Sequence, residues 1–106
     1  MEVYQGDAFN IPISLNMDGT PIVPDMLSEL EITFGSLKKR MSKNSILFEA
    51  ENGDFVFPLS QQETFRLCPG KYFMQARIKL LETEEVFGLQ LEPAIIVLPS
   101  ESKEVI

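Results

Sequence analysis

Chemistry in a short chain needs a nucleophile, a base or a set of metal ligands, and this sequence of 106 residues is sparing with all three. It contains no His, which excludes a Ser-His-Asp triad, a Cys-His pair and an imidazole metal site. The one thiol, Cys68, sits between Leu67 and Pro69. A lone Cys with no imidazole to activate it reads as a small buried hydrophobe rather than a nucleophile. One Cys cannot form an intramolecular disulfide, and nothing indicates an oxidising compartment. Metal would have to be held by carboxylates. Asp7, Asp18, Asp25 and Asp54 are scattered, without the acidic spacing and closing Glu of a calcium loop, and read as solvated turn residues. A carboxylate pair acting as acid and base says little in a chain with 16 acidic residues, which always brings some together. The 6 Gly residues occupy dispersed turn positions, so no phosphate-binding loop is expected. The expectation is a protein that is not an enzyme, with no cofactor and no metal.

Charge sets the class of partner. With 9 basic residues against 16 acidic ones the formal charge is −7, which argues against nucleic acid, because phosphate recognition relies on Lys and Arg. Two clusters break the pattern. Lys38, Lys39, Arg40 and Lys43 form a basic one, and Glu82, Glu84 and Glu85 an acidic one. The plain reading of each is a solvated loop. The functional reading is a contact surface for protein partners, either other structural subunits or a second copy, with the acidic hairpin end meeting a basic surface. A monomer with solvated charges competes with that reading, because surface ion pairs add only about 0–1 kcal/mol each. No membrane span is expected, since the longest apolar run is Ala94 to Leu98. The opening residues are acidic where a signal peptide is basic, so the chain is expected to be made and folded in the cytoplasm.

The elements that must carry these residues read as strands almost throughout. Phe9, Ile11, Ile13 and Leu15 alternate with polar residues and Pro12, which suits an edge strand or a switch between sheets at that point. Asp18-Gly19 predicts a tight turn, and Asn52-Gly53 a hairpin between strands at 45–49 and 54–59. Leu30, Ile32 and Phe34 define the buried face of another strand, and residues 37 to 44 read as a connecting loop. Ser60 with Glu63 forms a capping-box signature for one or two helical turns. Tyr72, Met74, Ala76, Ile78 and Leu80 mark the longest strand. A turn over residues 81 to 85 leads into a strand with Phe87, Leu89 and Leu91. Ala94 to Leu98, framed by Pro93 and Pro99, reads as a strand buried on both faces.

The predicted fold is a single antiparallel immunoglobulin-like β-sandwich of seven or eight strands over residues 1–99, followed by a polar tail at 100–106. A small closed β-barrel is the alternative. The predicted core draws on Phe9, Ile11, Ile13, Leu30, Ile32, Phe34, Phe57, Tyr72, Met74, Ala76, Ile78, Ile96 and Leu98. Leu67-Cys68-Pro69-Gly70-Lys71-Tyr72 resembles the tyrosine corner of such sandwiches, with Pro69 where Asp is usual; a half-buried Tyr opening a strand fits equally well.

Four stretches carry a wider resemblance. Tyr4-Gln5-Gly6-Asp7-Ala8-Phe9, followed by Asp18-Gly19-Thr20-Pro21-Ile22, resembles the opening of small β-sandwich modules from phages and prophages of Gram-positive bacteria. The N-terminal module of upper baseplate proteins is the best-known member. The stretch from Phe57 to Phe65, and Gln75-Ala76-Arg77-Ile78-Lys79 after it, is similar to standalone prophage proteins of this kind. Val23-Pro24-Asp25-Met26 stands where the family commonly has Leu-Thr-Gly. The resemblance implies a tail- or baseplate-associated virion protein acting through protein–protein assembly. The competing class is a ligand-binding module, carbohydrate-binding or adhesin-like, which would need exposed aromatics. With no Trp, Phe73 and Phe87 are the candidates for that role.

Overall fold

Alternation sorts the side chains before any sheet forms, and the computed structural model, which describes residues 1–92 and 94–106, shows the result. In β5 (Leu27–Phe34), Leu30, Ile32 and Phe34 are buried while Glu29, Glu31 and Thr33 take the opposite face. In β10 (Gln75–Leu80), Ala76 and Ile78 are buried while Gln75, Arg77 and Lys79 face out. The two strands pair antiparallel, with Ala76 opposite Ile32 and Ile78 opposite Leu30, so their apolar halves share one face. β6 (Leu37–Arg40) and β11 (Val86–Gln90) flank them, giving the order β11-β10-β5-β6.

A second sheet has the order β2-β8-β7, from β2 (Phe9–Ile13), β7 (Leu47–Glu49) and β8 (Asp54–Leu59). Its Ile11, Ile13, Phe55, Phe57 and Leu59 join the first sheet's apolar face in one buried cluster. The Phe34 and Phe57 rings meet across the gap at 6.3 Å. β1 (Glu2–Tyr4) runs parallel to β12 (Ile95–Leu98), which pairs antiparallel with β9 (Gly70–Tyr72). This third sheet prolongs the first, because the Leu91 amide still donates to the Met74 carbonyl at 2.8 Å beyond the β10–β11 ladder. A short hairpin, β3 (Asn16–Met17) with β4 (Thr20–Pro21), closes over Asp18-Gly19 as expected. Among the described residues the fold is mostly β, in several sheets, and none closes into a barrel, which removes the barrel alternative.

The one α-helix, α1 (Gln61–Phe65), starts at the predicted capping box. The Ser60 hydroxyl accepts from the Glu63 amide at 3.2 Å, and the Glu63 carboxylate accepts from the Ser60 amide at 2.9 Å. The helix is then clamped to the start of the chain. Thr64 is 0% exposed; its hydroxyl accepts from the Gly6 amide at 2.9 Å and donates to the Asp7 carbonyl at 2.8 Å. Gly6 has φ +92°, and a Cβ there would stand 2.7 Å from the Phe65 ring, so any other residue would be strained. The Gly-Asp motif at residues 6–7 is therefore structural. At the other end of the α1 loop the Tyr72 hydroxyl donates to the Cys68 carbonyl at 2.6 Å, the bond a tyrosine corner requires.

Several expectations need correction. Residues 37–44 are not a loop: they form β6 and a 3-10 turn at Met41–Lys43, because Gly35 reverses the chain tightly enough to place Leu37 opposite Phe34. A second 3-10 turn spans Pro24–Met26. The strand at 94–98 is not buried on both faces. Ile95 and Val97 point inward, Ile96 is 38% exposed and Leu98 half-buried, so Ile96 and Leu98 leave the predicted core. Phe9 and Tyr72 are only half-buried, packing on the core's rim, and Phe87 does the same rather than standing exposed. Cys68 is exposed, because the turn before β9 lies outside the sheets. The long strand predicted from Tyr72 to Leu80 is interrupted between β9 and β10. β1 was not anticipated, since one buried residue, Val3, leaves no periodicity. Pro93 lies outside the described residues.

Two substitutions test this packing. Ile32→Asp places a carboxylate in the fully buried face of β5 and is expected to destabilise the fold by several kcal/mol in urea denaturation. Thr64→Val keeps the shape but strands the Gly6 amide, and is expected to cost about 1–3 kcal/mol, with Thr64→Ser retaining most of the stability.

Candidate partner-binding surface

The basic cluster is divided by the pleat of β6. Lys38 and Arg40 point to the outer face of the sheet and Lys39 points the other way. The Lys39 side chain is 13% exposed, its Nζ 3.0 Å from the Glu63 carboxylate and 5.0 Å from the Phe57 ring centre, and it also donates to the Pro58 carbonyl. Lys39 thus ties β6 to the α1 cap and is engaged within the chain. Arg40 pairs with Glu31 of β5 at 2.8 Å. Lys43 ends the 3-10 turn, where Asn44 takes φ 57°.

The acidic cluster lies in the exposed turn from β10 to β11. The Leu80 amide donates to the Glu85 carbonyl at 3.0 Å, and Glu84 supplies the positive φ of 58°. β6 and β11 are opposite edges with β5 and β10 between them. The structure therefore does not bring Lys38, Arg40 and Lys43 together with Glu82, Glu84 and Glu85, and among the described residues no ion pair joins the two clusters.

What the structure does bring together is the polar half of four strands. Cross-strand register makes two rows on the outer face: Lys38, Thr33, Gln75 and Gln90 in one, Arg40, Glu31, Arg77 and Gly88 in the other. Since Gly88 has no side chain, the face dips there. A groove of about 490 Å³ results, lined by both rows except Arg40. Arg40 holds Glu31, while Arg77 and Lys38 form no ion pair among the described residues. Sequence reasoning found Lys38 and Arg40 but missed Arg77, Gln75 and Gln90 as a group. Their alternation was legible, but their alignment across strands was not.

The rim of this groove is β11. In an antiparallel ladder, alternate residues bond inward and outward. The Leu80–Glu85 and Leu91–Met74 bonds set the phase, so Glu85, Phe87, Leu89 and Leu91 bond to β10. Val86, Gly88 and Gln90 turn their N–H and C=O groups away from the sheet. Natural edges are shielded by Pro or charge. β2 carries Pro12, β6 its Lys and Arg residues, β7 Glu49, β9 Lys71 and β1 Glu2. Among the described edge strands of three residues or more, only β11 has neither.

Two carboxylates near this surface are held below their ordinary pKa. Burial raises the pKa of Glu63, but the Ser60 amide, the Lys39 ammonium and the Ser60 hydroxyl outweigh it and leave the carboxyl below its ordinary value. Glu29 follows the same logic: burial raises it, but the Ser42 hydroxyl and amide, the Leu30 amide and the charge of Arg40 outweigh that and lower it.

Since Glu63 binds its proton less readily folded than unfolded, its stabilisation is complete above the unfolded pKa of about 4.3 and is lost as pH falls through the lower folded value. The urea midpoint is expected to drop with acidification below that point, and Glu63→Gln to flatten part of the drop.

Comparison with protein-family models, with curated proteins and with solved structures finds no match for this chain.

Proposed function

We propose that the chain is an immunoglobulin-like β-sandwich that works without catalysis, as a tail- or baseplate-associated structural protein of a phage or prophage, through protein–protein assembly. Sheet order supports the fold. The order β2-β8-β7 beside β11-β10-β5-β6 fits that of immunoglobulin-like sandwiches, with β6 corresponding to the added strand of the variable type. The Tyr72–Cys68 bond lies at the corner where that fold has it.

Assembly rests on one observation: among the described residues the outer edge of β11 pairs with no strand, and β11 carries neither Pro nor charge beside a polar groove. An edge of this kind is suited to adding a strand from another subunit. The phage setting is supported by the resemblance carried by Tyr4 to Phe9 and by Asp18 to Ile22. The carbohydrate-binding alternative draws less support. Phe73 is 39% exposed, but the Lys71 ammonium lies 5.4 Å from its ring centre, and Phe87 packs toward the core, so no shared aromatic platform is presented.

The test is to read the genes on either side in the native genome and to analyse the purified particles by mass spectrometry. Tail, portal or capsid genes and recovery of the chain in particles are expected. Glycan-utilisation neighbours, with binding on a glycan array, would overturn the reading.

A further inference from the structure

The unpartnered edge and the groove beside it impose a chemistry on whatever binds there. Val86, Gly88 and Gln90 offer three N–H and three C=O groups in one line, and their side chains point to the outer face. A strand added to this edge would continue the sheet and set its own alternate side chains on the same two faces. On the inner face it would cover Phe87 and Leu89, which are half-buried at the core's rim, and so calls for apolar residues there.

On the outer face the demands are charged. The edge is bracketed by Glu84 and Glu85 at one end and Glu92 at the other, all exposed. At its middle, Gly88 leaves an open position beside Arg77, which has no ion pair among the described residues. The residue opposite Gly88 on an added strand would lie two strand spacings from Arg77, about 10 Å between backbones, with no side chain between them. An Arg and a Glu can meet across that interval.

We propose that β11 is a docking edge for an extended segment of a different protein, with Lys or Arg at both ends, alternating apolar residues, and an acidic side chain at its centre. A second copy of this chain fits poorly. Two-fold pairing about Gly88 would set Glu84 against Glu92 of the second copy twice, on top of a charge of −7 carried by each. This inference rests on the assembly reading above and names the partner chemistry of the same surface.

The probe is the peptide Lys-Val-Thr-Val-Glu-Val-Thr-Val-Lys, titrated into the intact protein with amide exchange followed by NMR. Its charge-exchanged counterpart carries Glu at both ends and Lys at the centre. The expected result is slower exchange at the Val86, Gly88 and Gln90 amides, with affinity that falls as salt rises and at least roughly tenfold weaker binding of the exchanged peptide. Arg77→Gln should remove most of the preference for the central Glu. Gln90→Pro, which deletes an outward amide only, should weaken both peptides. The peptide comparison needs only the unaltered protein, so it decides the matter even if a variant fails to fold. Equal affinity for the two peptides, binding of neither up to ~1 mM, or protection of the same amides by self-association alone would each overturn the proposal. Failure of the phage reading shows separately, in the gene neighbours and the particles, because strand addition at β11 can succeed or fail whatever the assembly.

Discussion

The ring of Phe34 is the contact on which the rest of the architecture hangs. It lies 6.3 Å from the ring of Phe57 in the second sheet and 5.6 Å, edge-on, from Tyr72, whose hydroxyl is tied to the Cys68 carbonyl. One fully buried side chain therefore joins the sheet of β5 and β10 to that of β2 and β8, and both to the end of β9. Aromatic contacts of this kind add about 0.5–1.5 kcal/mol beyond the area they bury. Their larger effect is geometric, because they set the depth and phase of the strand that carries them.

A chain of consequences follows from that position. Gly35 comes next and has to reverse the strand immediately. It takes φ +58°, and a Cβ there would lie 2.9 Å from both Leu67 and Tyr72. The reversal lays β6 on β5, which directs Lys39 inward to Glu63 and thereby braces the cap of α1. The helix in turn positions Thr64 against Gly6 and Asp7, and so anchors the segment between β1 and β2. Residues far apart in sequence, from 6 to 72, are held by this series of short, satisfied contacts, and among the described residues no buried side-chain polar atom lacks a partner.

The same packing produces the surface available to partners. With Leu30, Ile32, Ala76 and Ile78 inside, the pleat leaves Glu31, Thr33, Gln75 and Arg77 no place but the outer face. Gly88 in the neighbouring strand opens the floor, and the end of the sheet at β11 leaves backbone groups unused. Groove and edge are thus by-products of core formation, and they are the features on which the proposed assembly role depends.

The sequence by itself determined whatever is local. Alternation marked β2, β5, β8 and β10 and most of their inward residues. Asp18-Gly19 and Asn52-Gly53 marked their hairpins, and Ser60 with Glu63 marked the helix cap, because each signal is complete within a few residues. Tertiary structure alone decided the rest. Apolar residues at 94–98 offered either parity, and only pairing with β1 and β9 chose Ile95 and Val97 over Ile96 and Leu98. Lys39 looked like its charged neighbours until β6 turned it toward Glu63, twenty-four residues away. The groove existed only as polar halves of four separate strands. Their alignment depends on register, and register is fixed by which side chains meet in the core, an energy that no single strand contains.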